Sequence, residues 1–171
     1  MDKIEVAKVQ DVDILKIYGK ATMKNSQAIA DLMDKMNKTP ILDLSETTYV
    51  DSTFLGLIAK YTMLFKKKND EFITILKPTE EVLTCLRRTG ILKFLIVVDK
   101  TLKISGKEVN VEKIDNKKLA KHILELHEIL MNLNEENRKE FSRVVELMRK
   151  GVEKWEFALF TLVYQLKEKY Q

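Results

Sequence analysis

Apolar and polar residues alternate through Ile4 and Val6, and again through Val12, Ile14, Leu15 and Ile17, on either side of Gln10-Asp11. A period of two belongs to strands with one buried face, so the chain opens with a predicted β-hairpin. Ile29, Leu32, Met33 and Met36 then recur at one-face helical spacing behind a cap at Asn25 or Ser26, and Thr39-Pro40 ends that helix. Ile41-Leu42-Asp43-Leu44 is a compact apolar run of strand type, and Tyr49-Val50-Asp51-Ser52 follows after a short polar loop. Asp51 is placed to cap a helix over Ser52 to Lys68, where Phe54, Leu55, Leu57, Ile58, Tyr61, Leu64 and Phe65 mark the apolar face and Lys66-Lys67-Lys68 suits the negative end of the dipole. Phe72 to Leu76 is β-branched and aromatic enough for a strand. A helix follows from Thr79-Glu80-Glu81 to a C-terminal glycine at Gly90, and Leu95-Ile96-Val97-Val98 supplies a last strand.

The order β-β-α-β-α-β-α-β up to about Asp99 implies an α/β fold, a mixed sheet covered by helices. Lys100 to Asn116 is polar and without periodicity, as expected of a linker or an edge strand. Beyond it the period changes. Leu119, Ile123, Leu126, Leu130 and Leu133 step by four and three, and so do Phe141, Val145, Met148, Val152, Trp155, Leu159, Leu162 and Leu166. The two seams do not join through the polar stretch Asn134 to Glu140, which makes a helical hairpin with arms of about 25 Å and about 50 Å the simplest reading. Two units are thus expected, an α/β domain over residues 1–111 and a C-terminal α-helical hairpin over 112–171. Phe157, Phe160, Val163 and Tyr164 widen the second arm's apolar face, so it needs a further cover. Self-association into a four-helix bundle, hence a homodimer, is the leading expectation; packing back on the α/β domain and capture of another protein follow.

Composition narrows the classes. The 171 residues include 30 Lys and Arg against 26 Asp and Glu, and both signs are interspersed rather than blocked, which argues against a nucleic-acid footprint. The single cysteine, Cys85, can form no internal disulfide, which suits a cytoplasmic chain. The opening Met1-Asp2-Lys3-Ile4-Glu5 is too polar for a secretory signal, and the apolar stretch Trp155 to Leu166 falls short of the ~20 residues of a membrane span, so neither export nor membrane insertion is expected.

The chemistry concentrates in Asp43-Leu44-Ser45 and in Asp51-Ser52-Thr53-Phe54-Leu55-Gly56, where a buried strand delivers a carboxylate and two hydroxyls to the start of a helix. In these two segments, and in element order over roughly its first hundred residues, the chain resembles the STAS domain family, anti-sigma factor antagonist type. Members carry Asp-Leu-Ser at a strand end and Asp-Ser-Ser/Thr-Gly-Leu-Gly opening the next helix. The resemblance implies a non-enzymatic switch without a cofactor. In it Ser52 is phosphorylated by a partner protein kinase that is itself the anti-sigma factor, and a phosphatase acts on phosphorylated Ser52. It implies a docking surface at Asp51, Ser52, Thr53, Phe54, Leu55 and Gly56, and transcription regulation by partner switching. Phe54 stands where the family has glycine, so either its ring is a contact or the partner's surface differs. The resemblance also implies an alternative, a constitutive STAS scaffold subunit of a sensory or transporter-associated complex. Read from the residues alone, Asp51-Ser52-Thr53 is a helix cap whose serine sits among unpaired N–H groups.

No other motif competes. His122 and His127 are five apart, off the three- or four-residue spacing of a helical zinc pair, so no metal site is expected. Gly19, Gly56, Gly90, Gly106 and Gly151 stand singly, so no glycine-rich phosphate loop is present. Cys85 between Leu83 and Leu86 reads as a small apolar residue, and Arg87-Arg88 as solvated helix-end charge.

Overall fold

A computed structural model describes the backbone of residues 1–169 and the side chains of residues 1–154. Strands β1 (Lys3–Val9) and β2 (Val12–Ala21) pair antiparallel, from Lys3 opposite Tyr18 to Val9 opposite Val12. Gln10 and Asp11 make the two-residue turn with φ of 47° and 65°, the positive values that hairpin turns matched to strand twist require. Strand β2 is the hub of the sheet. On the side away from β1 it pairs in parallel with β3 (Ile41–Asp43) and, towards its C-terminal end, with β4 (Thr47–Val50), across an irregularity at Gly19 and Lys20. With β5 (Thr74–Leu76), β6 (Ile96–Val98) and β7 (Lys107–Glu108) the strand order is β6-β5-β3-β2-β1-β7, β4 branching from β2. The polar segment after Asp99 therefore does contribute an edge strand, β7, antiparallel to β1.

Helices α1 (Met23–Asp34), α2 (Ser52–Asn69) and α3 (Glu80–Arg88) follow β2, β4 and β5. Two local expectations need correction. Helix α1 is capped by Thr22, not by Asn25 or Ser26: Asn25 takes the third helical position of a capping box, its side-chain oxygen accepting from Thr22 N–H at 2.9 Å. Strand β4 was hidden in sequence because only its buried ends, Thr47 and Val50, face inward, while Thr48 and Tyr49 are exposed. Asp43-Leu44-Ser45 closes β3 locally, since the buried Asp43 accepts from both Ser45 N–H (3.0 Å) and Ser45 Oγ–H (2.6 Å). Gly90, with φ of 75°, follows α3 in the left-handed conformation that suits a helix stop.

Past the sheet, α4 (Asn116–Met131) and α5 (Glu135–Lys169) form the helical hairpin. Helix α4, the first arm, packs on the α/β domain; the widened apolar face of the second arm, for which three covers were expected, lies outside the described residues. Leu126 and Leu130 are fully buried in the same cluster as Leu15, Ile17 and Leu42 of the sheet, Ile29 of α1, Phe54 and Ile58 of α2 and Leu86 of α3. Burying two leucines is worth about 1.5–3 kcal/mol each, enough to seat α4 without making its seat permanent. The polar turn is an anchor rather than a loop: Asn137 is 1% exposed, and its Nδ2 donates to Thr89 O (3.0 Å) and Leu130 O (2.9 Å), while Asn134 Nδ2 donates to Thr89 O (2.9 Å). The side chains of Trp155, Phe157, Leu159, Phe160, Leu162, Val163, Tyr164 and Leu166, and with them the outer half of the second seam, lie outside the described residues.

Candidate functional site

Strand β4 delivers Asp51 to the junction of two helices. Asp51 N–H bonds to Ala21 O at the end of β2 (3.2 Å), which fixes the carboxylate beside both helix starts. Its Oδ1 accepts from Phe54 N–H and its Oδ2 from Met23 N–H, each at 2.9 Å. One carboxylate thus satisfies orphan donors of α1 and α2 together and holds the two positive helix ends side by side. The cap on α2 follows from the sequence; the reach to α1 does not, because it depends on β2 and β4 pairing.

Ser52 is the first residue of α2 and is half-buried. Its Oγ lies 2.8 Å from His127 Nε2 on α4, and His127 Nδ1 lies 2.8 Å from Ile123 O. A carbonyl can only accept, so Nδ1 carries a proton, and in that tautomer of the imidazole Nε2 is the acceptor for the Ser52 hydroxyl. His127 also meets the Phe141 ring of α5 edge-on, with centroids 6.2 Å apart.

A second histidine–serine pair stands on α1 with the opposite polarity. Ser26, fully buried, donates to Met23 O (3.1 Å) and so accepts from His122 Nε2 (3.1 Å). Burial holds the His122 ring below the ordinary histidine range, because the charged form would lose its water. Between the pairs, Gly56 lies directly under α4: a Cβ built there would come 2.2 Å from Leu126 O. Lys60 pairs with Glu125 at 2.8 Å. The stripe Ser52, Gly56, Lys60 on one side of α2 is therefore met by His127, Leu126 and Glu125 of α4.

Of the six expected docking residues, the structure brings Asp51 and Ser52 towards the surface. Thr53 (3% exposed), Phe54 (0%), Leu55 (6%) and Gly56 are buried. Phe54 is thus not an exposed contact; it lies two residues from the stripe that faces α4, and its ring is part of the core. Sequence reasoning missed His122, His127 and Ser26. The legible signal was that 122 and 127 flank the apolar seam at 123 and 126, one on each rim, where a polar ring meets the edge of whatever the seam packs on. The two rings bond to serines on different helices, and among the described residues no group of three His, Cys, Asp or Glu side chains is placed to share a metal ion. Among the same residues no helix is long and apolar enough to cross a membrane.

Comparison with protein-family models and with curated proteins finds no match. Solved structures do match. A protein described as a candidate anti-sigma factor antagonist from Thermotoga maritima aligns at a TM-score of 0.51 and 23% identity, over 57% of this chain and 86% of its own. SpoIIAA, an anti-sigma factor antagonist in its unphosphorylated form, aligns at 0.50 and 14% identity, over 57% of this chain and 89% of its own. Little more than half of this chain spans most of either relative, so a large remainder lies outside the shared fold. This chain has the STAS fold of the anti-sigma factor antagonists, with a helical hairpin seated on it.

Proposed function

We propose that this chain is an anti-sigma factor antagonist switched by phosphorylation of Ser52. The observation that carries the reading is the place of the Ser52 hydroxyl: first residue of α2, half-buried, beside a carboxylate that caps two helix starts. In the transfer, the γ-phosphoryl group of ATP passes to Ser52 Oγ, the hydroxyl proton leaves to a base of the kinase, and ADP departs; a phosphatase hydrolyses the ester. The product adds about −1.5 to −2 charges where helix N–H groups favour an anion, so the fold tolerates it. Any partner covering this spot would have to desolvate that charge next to Asp51, so docking weakens. The unphosphorylated chain is the form that binds the kinase and anti-sigma factor, and through it acts on transcription in the cytoplasm. The buried Phe54 keeps its ring out of that contact, so the partner meets Asp51, Ser52 and the surface beside them.

Affinity of the cognate kinase for Ser52→Ala and Ser52→Asp tests this. The alanine variant should bind at least about tenfold more tightly than the aspartate variant, a difference of about 1.4 kcal/mol. Equal affinity of both variants and the unmodified chain would defeat the proposal. The seat of His127 on Ser52 favours a second reading, a constitutive STAS scaffold subunit, whose complex would survive both substitutions unchanged. A homodimer through the C-terminal helices is compatible with either reading, and sedimentation of the full chain decides it.

A further inference from the structure

We infer that α4 is a displaceable lid: it occupies, within the same chain, the surface around Ser52 that a protein partner must cover, and the unmodified Ser52 hydroxyl helps to hold it there. The inference rests on the Ser52 reading above and concerns how that site is controlled. Helix α4 crosses the helical layer, reaching α1 through His122 and Ser26 and α2 through His127 and Ser52, while Asn137 in the first turns of α5 holds Thr89, the residue after α3. Leu126 over Gly56, together with Leu130 and the partly buried Ile129, joins the apolar core of the α/β domain, and hydrogen-bonded polar pairs ring this contact. An apolar centre with a polar rim is the layout of a docked surface that can come apart, since rim groups regain water on opening. The tether permits the movement: between β6 and α4 only the two-residue β7 is regular, and most residues from 99 to 115 are exposed.

The hydroxyl is part of the fastening. His127 Nδ1–H donates to Ile123 O, and in that tautomer Nε2 accepts a hydrogen bond from the Ser52 hydroxyl. Phosphorylation removes the hydroxyl proton and places a tetrahedral anion in the space the imidazole fills. The lid therefore cannot close over phosphorylated Ser52 in its present position, which leaves the ester open to a phosphatase. A partner reaching unmodified Ser52 must first displace α4, and what it puts there has to fit the same stripe: an apolar side chain over Gly56 and an acidic group within reach of Lys60.

Hydrogen–deuterium exchange on the full chain tests the lid without any partner. Three forms are compared: unmodified, His127→Ala, and a chain with phosphoserine encoded at position 52. In the unmodified chain, amides of residues 119–131 should exchange at least about tenfold faster than those of β3 and β5, because α4 opens by itself. His127→Ala should speed α4 exchange roughly fivefold and phosphoserine at least about a hundredfold, with β3 and β5 unchanged. Two results overturn the inference: α4 exchanging together with the strands in one global event, or phosphoserine leaving α4 as protected as in the unmodified chain, as it would if protonated His127 gripped the phosphate. Either failure leaves the Ser52 reading intact. Conversely, equal kinase affinity for Ser52→Ala and Ser52→Asp removes that reading even where α4 opens freely.

Discussion

Adding one methyl group at Gly56 probes the seat of α4 more sharply than any truncation. In an ordinary exposed helix, glycine to alanine stabilises by about 1 kcal/mol, because alanine has less backbone freedom to lose. At Gly56 the new Cβ would stand 2.2 Å from Leu126 O, 2.7 Å from Leu126 C and 3.0 Å from Leu126 Cβ, whereas ordinary contact begins at 3.4 Å. The nearest obstacles are backbone atoms, which no rotamer change removes, so α4 must retreat by roughly 1 Å along much of its contact. Overpacking of this kind costs about 3 kcal/mol at its upper end, which leaves Gly56→Ala destabilised by roughly 2 kcal/mol after the propensity gain. For a chain of this size that lowers Tm by roughly 4–8 °C. Gly151→Ala is the matched control: position 151 is exposed in α5 and an added Cβ meets nothing within 4 Å, so the same change should stabilise. Urea unfolding followed by circular dichroism reads both. If Gly56→Ala stabilises as Gly151→Ala does, α4 does not sit on Gly56 and the reasoning fails.

Asn137→Ala removes the donor shared by Thr89 O and Leu130 O, which keep Asn134 Nδ2 and Leu133 N–H, and should cost about 1 kcal/mol in urea unfolding; a neutral result would mean the hairpin turn is not anchored. Tyr61→Phe removes the buried phenol that lies 2.7 Å from Asp34 Oδ1 and 3.1 Å from Ala30 O, with an expected loss of about 1–2 kcal/mol by the same assay. Burial keeps His122 neutral where the unfolded chain would take up a proton. Its contribution is therefore complete above the unfolded value near 6.5 and declines as pH falls from there towards the lowered folded value. Between about pH 7.5 and about pH 5.5 the parent chain should lose more Tm than His122→Gln does, and equal losses would show that His122 is not the group involved.

The sheet and its covering helices were legible because each element buries one face of a strongly periodic segment: Ile4 to Ile17 at a period of two, Phe54 to Phe65 and Leu119 to Leu133 near three and a half. The cap of α2 at Asp51 was legible for the same local reason. What stayed hidden depends on partners distant in sequence. The bond from Met23 to Asp51 needs the β2–β4 pairing, and that from Ser52 to His127 joins residues 75 apart. The short β4 carries too few inward apolar residues to alternate visibly, and Asn137 reads as loop because its burial follows from meeting Thr89 rather than from its own neighbours. Phe54 left two alternatives open, a ring in contact or a different partner surface, and its burial speaks for the second; the motif could not decide between them, because exposure at that position depends on which helix face it occupies.

Whether Ser52 is the switch is tested most directly by mass-spectrometric mapping of phosphate on the chain taken from its native cells, with occupancy compared between growth states. A switch at Ser52 predicts phosphate on that residue, at an occupancy that changes between states and is abolished by Ser52→Ala. Phosphate absent from Ser52 in every state, or present only at other residues, would contradict it.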